Sequence, residues 1–168
     1  ITRLNSIGQA DNIKIVSKYL NMLTNGSNVR LEAGSSIDIT ECPNLSDVRI
    51  TSNKLQSIDL SKNPKLWKLN MECSNLVELD LSNNPELISV TVHNQNYNSN
   101  EKHLLEKLNI SGCSKLQTLE IWYNSLETLD LSTNTALTTL KCWGNNLKIL
   151  DVSNCPALTS LDCSPMGT

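Results

Sequence analysis

"LETLDLSTNTALTTLKCWGNNL", residues 126–147, repeats the leucine spacing of "LQSIDLSKNPKLWKLNMECSNL", residues 55–76. Each stretch contains an eleven-residue half, such as 127–137, followed by a ten-residue half, such as 138–147. The two halves alternate from position 35 to position 168, and one eleven-residue half plus one ten-residue half make each period. Only the segment 98–105, "NSNEKHLL", interrupts the alternation. An internal repeat of this kind is typical of solenoid proteins, in which each repeat forms one coil of a stack.

Each half follows the pattern L-x-L-x-x-N/C-x-L, the signature of leucine-rich repeats. In Leu140-Lys141-Cys142, apolar residues flank a polar one, and this alternation predicts a short β-strand. The Asn or Cys that follows the strand is expected to point inward. There its side chain can bind backbone groups of neighbouring coils that would otherwise be buried unpaired.

The motif resembles the 21-residue class of bacterial surface leucine-rich repeats, which includes the cysteine-containing internalin-like proteins and related Bacteroidetes repeats. The shared motif pairs "LDLSxN" with "LxCxxN", here "LDLSTN" at 129–134 and "LKCWGN" at 140–145. Ser74 and Gln95 depart from it, because both stand where the pattern has Asn. The resemblance implies an extracellular or cell-surface bacterial protein that binds a host or neighbouring protein. The chain begins with Ile1 and shows neither a signal peptide nor an anchor, so we expect both to belong to a larger parent protein.

The predicted fold is a leucine-rich-repeat solenoid over residues 35–168, a right-handed coil of parallel strands and turns. So short a coil leaves no room for an outer helix, and neighbouring strands should lie about 4.8 Å apart. Residues 1–34 are predicted to form an N-terminal cap with a helix near 10–24. One face of that helix would carry Ile13, Val16, Leu20 and Leu23, and Asn25-Gly26 would end the helix. Residues 28–34 are expected to form an irregular first strand.

The composition argues against two classes of partner. The net charge is −3 and no run of Lys or Arg occurs, so no nucleic-acid partner is expected. No apolar stretch reaches the roughly 18–20 residues that span a bilayer.

Only 4% of the residues are aromatic and none is Phe, so the core must be built almost wholly from Leu, Ile and Val.

The repeat register assigns most of the six cysteines to structural positions. Cys42, Cys113 and Cys155 occupy the Asn/Cys position of the eleven-residue halves, while Cys142 and Cys163 are inward strand residues of adjacent coils. Cys73 falls outside both groups. No C-x-x-C pair and no histidine at zinc-site spacing occurs, so neither a metal nor another cofactor is expected. The register leaves open whether Cys142 and Cys163 form a disulfide.

The same register aligns the outward residues of the ten-residue halves into columns. One column comprises Thr51, Glu72, His93, Trp122, Trp143 and Ser164. Trp122 and Trp143 are one period apart, so their side chains should lie side by side on neighbouring strands. Large aromatic side chains on a rigid surface are enriched at recognition sites. The candidate ligand-binding residues are Trp122, Tyr123, Trp143, Glu120, Lys141, His93 and Glu72. The alternative is that the paired rings only stiffen the sheet.

We therefore expect a non-catalytic module that binds a protein through this face. Two alternatives stay open: a carbohydrate-binding module that uses the stacked tryptophans, and a structural spacer that carries another domain. An enzyme is not expected. The best catalytic constellation, Cys73 with His93 and Glu72, would lie on an open sheet that neither provides an oxyanion hole nor excludes water.

A second column consists of acidic residues on the eleven-residue halves. It comprises Asp38, Asp59, Asp80, Asn109, Asp130 and Asp151, each followed two positions later by Ser or Thr. Because the pattern recurs in every coil, we expect each carboxylate to accept hydrogen bonds from nearby backbone or hydroxyl groups. Calcium binding by stacked carboxylates is the alternative.

Overall fold

The computed structural model describes residues 2–4, 12–16, 20–24, 36–52, 55–73, 75–94 and 105–164. They form a parallel β-solenoid of about six turns, which confirms the predicted leucine-rich-repeat architecture. In the described residues the strands are β1 (Thr2–Leu4), β2 (Asn12–Val16), β3 (Leu20–Thr24), β4 (Ser36–Glu41), β5 (Asp47–Ser52), β6 (Ser57–Ile58), β7 (Lys68–Cys73), β8 (Glu78–Asp80), β9 (Ser89–His93), β10 (Lys107–Asn109), β11 (Thr118–Glu120), β12 (Thr139–Lys141) and β13 (Ser160–Asp162).

The strands of the ten-residue halves, together with β1 and β3, which precede the repeats, build one long parallel sheet. Its eight strands among the described residues follow the order β1-β3-β5-β7-β9-β11-β12-β13. Strands of the eleven-residue halves lie on the opposite side: β4 and β6 form a three-stranded sheet with β2, which precedes the repeats, in the order β2-β4-β6, and β8 and β10 form a two-stranded sheet. Thr118 pairs with Thr139, one period later, and with Ser89, which precedes it by one period plus the length of the insertion. The sheet therefore keeps its register across the insertion, which lies in the chain between β9 and β10.

Leucines from both sides fill the narrow space between the sheets. Along β7, Leu69, Met71 and Cys73 are buried while the alternate residues point outward. Burial of one such leucine stabilises the fold by about 1.5–3 kcal/mol. Cys73, which the repeat pattern leaves unassigned, is thus the third inward residue of its strand. The buried core consists mostly of leucine, isoleucine and valine, as the absence of phenylalanine predicts.

A ladder of buried asparagines holds successive coils together, as the repeat pattern predicts. The side-chain Nδ2 of Asn84 donates to the carbonyls of Leu60 and Asn63 at 3.0 Å each. Asn63 donates in the same way to Ile39 and Cys42 one coil earlier. Each amide thus ties the turn of one coil to two backbone carbonyls of the preceding coil.

Cysteines replace asparagine in this ladder at three coils. Their thiols each donate to one carbonyl: Cys42 to Ile15, Cys113 to Leu81 and Cys155 to Asn134, at 3.4, 3.3 and 3.7 Å. A thiol offers one weak donor and leaves no amide oxygen to satisfy. In contrast, the Oδ1 atoms of Asn63, Asn84 and Asn134 are buried without a hydrogen-bond partner among the described residues.

The predicted N-terminal helix is wrong over the residues that the structure describes. Asn12–Val16 and Leu20–Thr24 are strands that pair with β4 and β5. The stretch "NIKIV" carries Ile at 13 and 15, a period of two, beside the helical spacing that favours a helix. Extended chain satisfies the open edge of the first coil, whereas a helix would leave that edge unpaired. Residues 28–34, predicted as a first strand, lie outside the described residues, and the cap boundary at 34 stays a prediction.

Residues of the acidic column accept the expected hydrogen bonds from nearby backbone groups. Asp59, Asp80, Asp130 and Asp151 each accept a hydrogen bond from the backbone N–H two positions later, at 2.8–2.9 Å. The bonds from Ser61 lower the pKa of Asp59, and Thr40 does the same for the pKa of Asp38. Among the described residues no three or more His, Cys, Asp or Glu side chains are grouped so that they could hold a metal ion.

Candidate functional site

The candidate site lies on the outward face of the long sheet, where alternate residues of its strands form columns. The register places Thr51 beside Glu72 and Glu72 beside His93. Further along, Tyr123 donates its backbone N–H to the carbonyl of Trp143 at 3.1 Å, which carries the alignment past the end of β12. Gly144 in turn donates its backbone N–H to the carbonyl of Ser164 at 3.2 Å, so the predicted column is assembled from six separate coils.

Side-chain contacts run without a break along this column from Thr51 to Trp143. Thr51 donates its hydroxyl to Glu72 Oε2 at 3.3 Å, and Glu72 Oε1 lies 3.4 Å from His93 Nε2. The His93 ring stacks on Trp122, with centroids 3.9 Å apart and an angle of 10° between the planes. Trp122 in turn stacks on Trp143 at 5.3 Å and 4°. We call the stacked rings of His93, Trp122 and Trp143 the aromatic ladder.

The geometry of the aromatic ladder determines what a ligand can touch. Trp122 has His93 on one side and Trp143 on the other, so both of its ring faces are occupied within the protein. The stacking follows from the spacing of about 4.8 Å between neighbouring strands, which is close to the contact distance of two aromatic rings. Trp122 thus offers a ligand its ring edges, which carry the positive end of the aromatic quadrupole.

Tyr123 completes the aromatic group at a conformational cost. Its ring meets Trp143 edge to face at 4.4 Å and Trp122 at 5.8 Å. Its φ is 53°, the left-handed region that non-glycine residues seldom adopt. The equivalent residue of the next coil is Gly144, with φ 69°, which has no Cβ to strain. Position 123 therefore holds a large aromatic ring where the turn itself favours glycine.

Charged side chains on the same face are paired with one another. Lys141 Nζ lies 2.7 Å from Glu120 Oε1, and the hydrogen bond with Glu120 raises the pKa of Lys141. Arg49 binds both carboxylate oxygens of the buried Asp47, at 3.2 and 3.0 Å. Glu120 and Lys141 are both predicted site residues. They lie next to the aromatic ladder as an ion pair whose net charge is zero.

His93 combines partial burial with a nearby carboxylate. Its side chain is 13% exposed, and this burial lowers its pKa below the ordinary value of 6.5 despite the opposing charge of Glu72. The unfolded chain therefore binds more protons than the folded chain just below pH 6.5. His93 consequently contributes stability that is complete above that pH and is lost as pH falls towards its folded pKa.

We expect the free energy of unfolding of the wild type to decrease between about pH 7 and about pH 5, and less so in a His93→Gln variant. Urea unfolding at the two pH values measures the difference. An NMR titration of the His93 ring should give a midpoint below 6.5. A midpoint at or above that value, or equal pH dependence of both proteins, would contradict the assignment.

The sequence-predicted catalytic constellation is not assembled. Cys73 points into the core and is 4% exposed, whereas His93 and Glu72 lie on the outward face. Burial raises the pKa of the Cys73 thiol to about 12, so it carries no thiolate at neutral pH. The alternation of strand side chains separates the thiol from the imidazole, and the geometry offers no nucleophile–base pair at this position.

The repeat register predicts the column, but it does not predict every feature of the site. It places Thr51 in the column without a role, and the structure adds Thr51 to the chain of contacts through Glu72. Nor does it predict the left-handed conformation of Tyr123. A signal for that conformation is present in the sequence, because Gly144 occupies the equivalent position one period later.

The fold and this face together define the class of protein as a leucine-rich-repeat solenoid with an exposed strand face. Among solved structures, the chain is similar to the functional domain of InlJ from Listeria monocytogenes, which includes a cysteine ladder. The sequences are 29% identical, the TM-score is 0.66, and the match covers 90% of this chain and 34% of that one. The chain therefore spans about a third of the length of that structure.

The likeness supports an internalin-like repeat, whereas the predicted resemblance to Bacteroidetes repeats gains no support from it. No protein-family model and no curated protein sequence matches the chain. Among the described residues, no helix is long and apolar enough to cross a membrane.

Proposed function

We propose that this solenoid is a non-catalytic recognition module that binds a protein partner through the aromatic ladder and its surroundings. It acts as part of an extracellular or cell-surface bacterial protein. The internalin-like fold supports both statements, since the chain shares it with the functional domain of InlJ. The partner is a protein on a host or neighbouring cell surface.

The observation that carries the proposal is the aromatic group on one coil boundary. Trp122, Trp143 and Tyr123 are mutually in contact and only partly buried. Strain at a non-glycine residue such as Tyr123 persists only where the surroundings enforce it, and such residues cluster at functional sites. Trp and Tyr are also the side chains that most often dominate the binding energy of an interface.

Ring orientation favours a protein over a carbohydrate. A sugar ring would stack its C–H face on a free aromatic face, but both faces of Trp122 are taken by His93 and Trp143. Ring edges and a neighbouring Glu120–Lys141 pair suit a protein surface, on which carbonyl oxygens and apolar side chains alternate. Carbohydrate binding is an outcome of the test rather than a second proposal.

The test compares wild type with a Trp122→Ala/Trp143→Ala double variant on a panel of extracellular-matrix proteins, host-surface proteins and glycans. We expect wild type to bind one protein and the double variant to bind it at least about 30-fold more weakly, because each lost anchor costs about 1–2 kcal/mol or more. Urea unfolding and circular dichroism of both proteins check that the fold is intact.

Trp67→Ala provides a matched control. Trp67 is 42% exposed and lies just before β7, at the opposite end of that strand from Glu72 and the aromatic column. This variant removes an equally large exposed ring and should bind like wild type. Equal binding by the double variant would assign the ladder to the scaffold, and loss of glycan binding alone would indicate the carbohydrate-binding alternative.

A further inference from the structure

We propose that Cys142 and Cys163 form an oxidisable pair that a small disulfide such as glutathione disulfide converts into a Cys142–Cys163 disulfide. All six cysteines are free thiols in the structure. These two differ from the others because they occupy equivalent positions on adjacent coils. The proposal concerns the last two coils among the described residues and is independent of the proposed protein-binding function.

The register brings the two cysteines together. Lys141 pairs with Asp162 in the parallel ladder, and the next residue, Cys142, donates its backbone N–H to the Asp162 carbonyl at 2.8 Å. Cys142 and Cys163 therefore occupy matching positions on neighbouring strands, about 4.8 Å apart. Disulfides join Cα atoms about 4.4–6.8 Å apart, with Cβ atoms about 3.5–4.5 Å apart. The strand spacing thus lies within the range of Cα separations that a disulfide spans.

The Cys163 thiol is accessible to a small disulfide, and a cavity beside both cysteines can accommodate the reagent. Cys163 is exposed, whereas Cys142 is 2% exposed. Both thiols line a cavity of about 240 Å³ at the edge of the last described coil, together with Leu147 and Leu150.

The chemistry is two successive thiol–disulfide exchanges. The Cys163 thiolate attacks one sulfur of glutathione disulfide, which forms a mixed disulfide and releases one glutathione thiolate. The Cys142 thiol then gives its proton to that thiolate and attacks the Cys163 sulfur, which releases the second glutathione. Two protein thiols are oxidised and one glutathione disulfide is reduced to two glutathione molecules. Burial raises the pKa of Cys142 to about 12, so this second exchange is the slower one.

The test treats the folded wild-type chain with excess glutathione disulfide, unfolds it in denaturant so that the buried thiols become accessible, alkylates the remaining thiols and identifies linked peptides by mass spectrometry. We expect a Cys142–Cys163 crosslink, four alkylated cysteines and a protein mass lower by two hydrogens before alkylation. Hydrogen exchange of the β13 amides should slow by about tenfold or more, because the bond opposes local opening of the last coil.

Two variants make the result unambiguous. Cys142→Ala should stop at the mixed disulfide, with one glutathione on Cys163, and Cys163→Ala should acquire neither glutathione nor a crosslink. A wild type that retains glutathione on Cys163 without forming the crosslink would overturn the proposal. So would a crosslink that involves any of the other four cysteines in place of this pair.

Discussion

Replacement of Asn84 by alanine is expected to lower the free energy of unfolding by about 2–4 kcal/mol. The Asn84 side chain is fully buried and its Nδ2 binds the carbonyls of Leu60 and Asn63. Alanine would remove both bonds between the coils, each worth about 0.5–1.5 kcal/mol, and would leave a small cavity in their place. Urea denaturation followed by circular dichroism measures the change.

Two further variants separate this effect from a general effect of replacing asparagine in the turn. Asn83 is the exposed neighbour, so Asn83→Ala should change the free energy of unfolding by less than about 0.5 kcal/mol. Asn84→Cys should fall between the two, because Cys113 makes one carbonyl bond at the equivalent position of the next coil. If Asn84→Ala were as stable as Asn83→Ala, the ladder hydrogen bonds would not be what holds the coils together.

Replacement of Gly112 by alanine is expected to destabilise the fold by about 1–3 kcal/mol or more. A Cβ built on Gly112 would lie 1.8 Å from the carbonyl oxygen of Ser82, one coil earlier. That neighbour is backbone and cannot rotate away, so the two coils must move apart. The movement would strain the pairing of β8 with β10. Urea denaturation would show the loss of stability.

The repeat itself supplies the comparison for Gly112. The equivalent position carries Asn83 in the preceding coil, Thr133 in the next and Asn154 in the last, so a side chain is compatible with the turn in general. Asn154 is exposed, and Asn154→Ala should change stability by less than about 0.5 kcal/mol. An equally small effect of Gly112→Ala would show that the close approach to Ser82 can relax at little cost.

Much of the candidate site could be predicted because residues one period apart in the sequence lie side by side on adjacent coils of a solenoid. Trp122 and Trp143 are one period apart, and they are stacked. Glu120 and Lys141 are also one period apart, and they form an ion pair. The orientation of the side chains could not be predicted. The period shows which residues are neighbours, but it does not show which faces of the aromatic rings are accessible to a ligand. That both faces of Trp122 are covered depends on torsion angles that no repeat pattern records.

The N-terminal region shows the opposite case. Ile13, Val16 and Leu20 fit a helical face, and local pattern alone could not choose between a helix and strands. The choice was made by β4 and β5, whose open edges bind Asn12–Val16 and Leu20–Thr24. Tertiary hydrogen bonding here overrode a local preference, as happens often for short segments with both periodicities.

By itself, the sequence determined the coil: its repeat period, its inward leucines, its ladder of asparagine and cysteine, and the column that holds Trp122 and Trp143. These features depend on burial and on the strict alternation of strand side chains, which a pattern of letters records directly. Only the tertiary structure decided the strands before position 35, the inward position of Cys73 and the occupied faces of Trp122. Each of these depends on contacts between coils, where the free energy of a residue is set by neighbours far away in the chain.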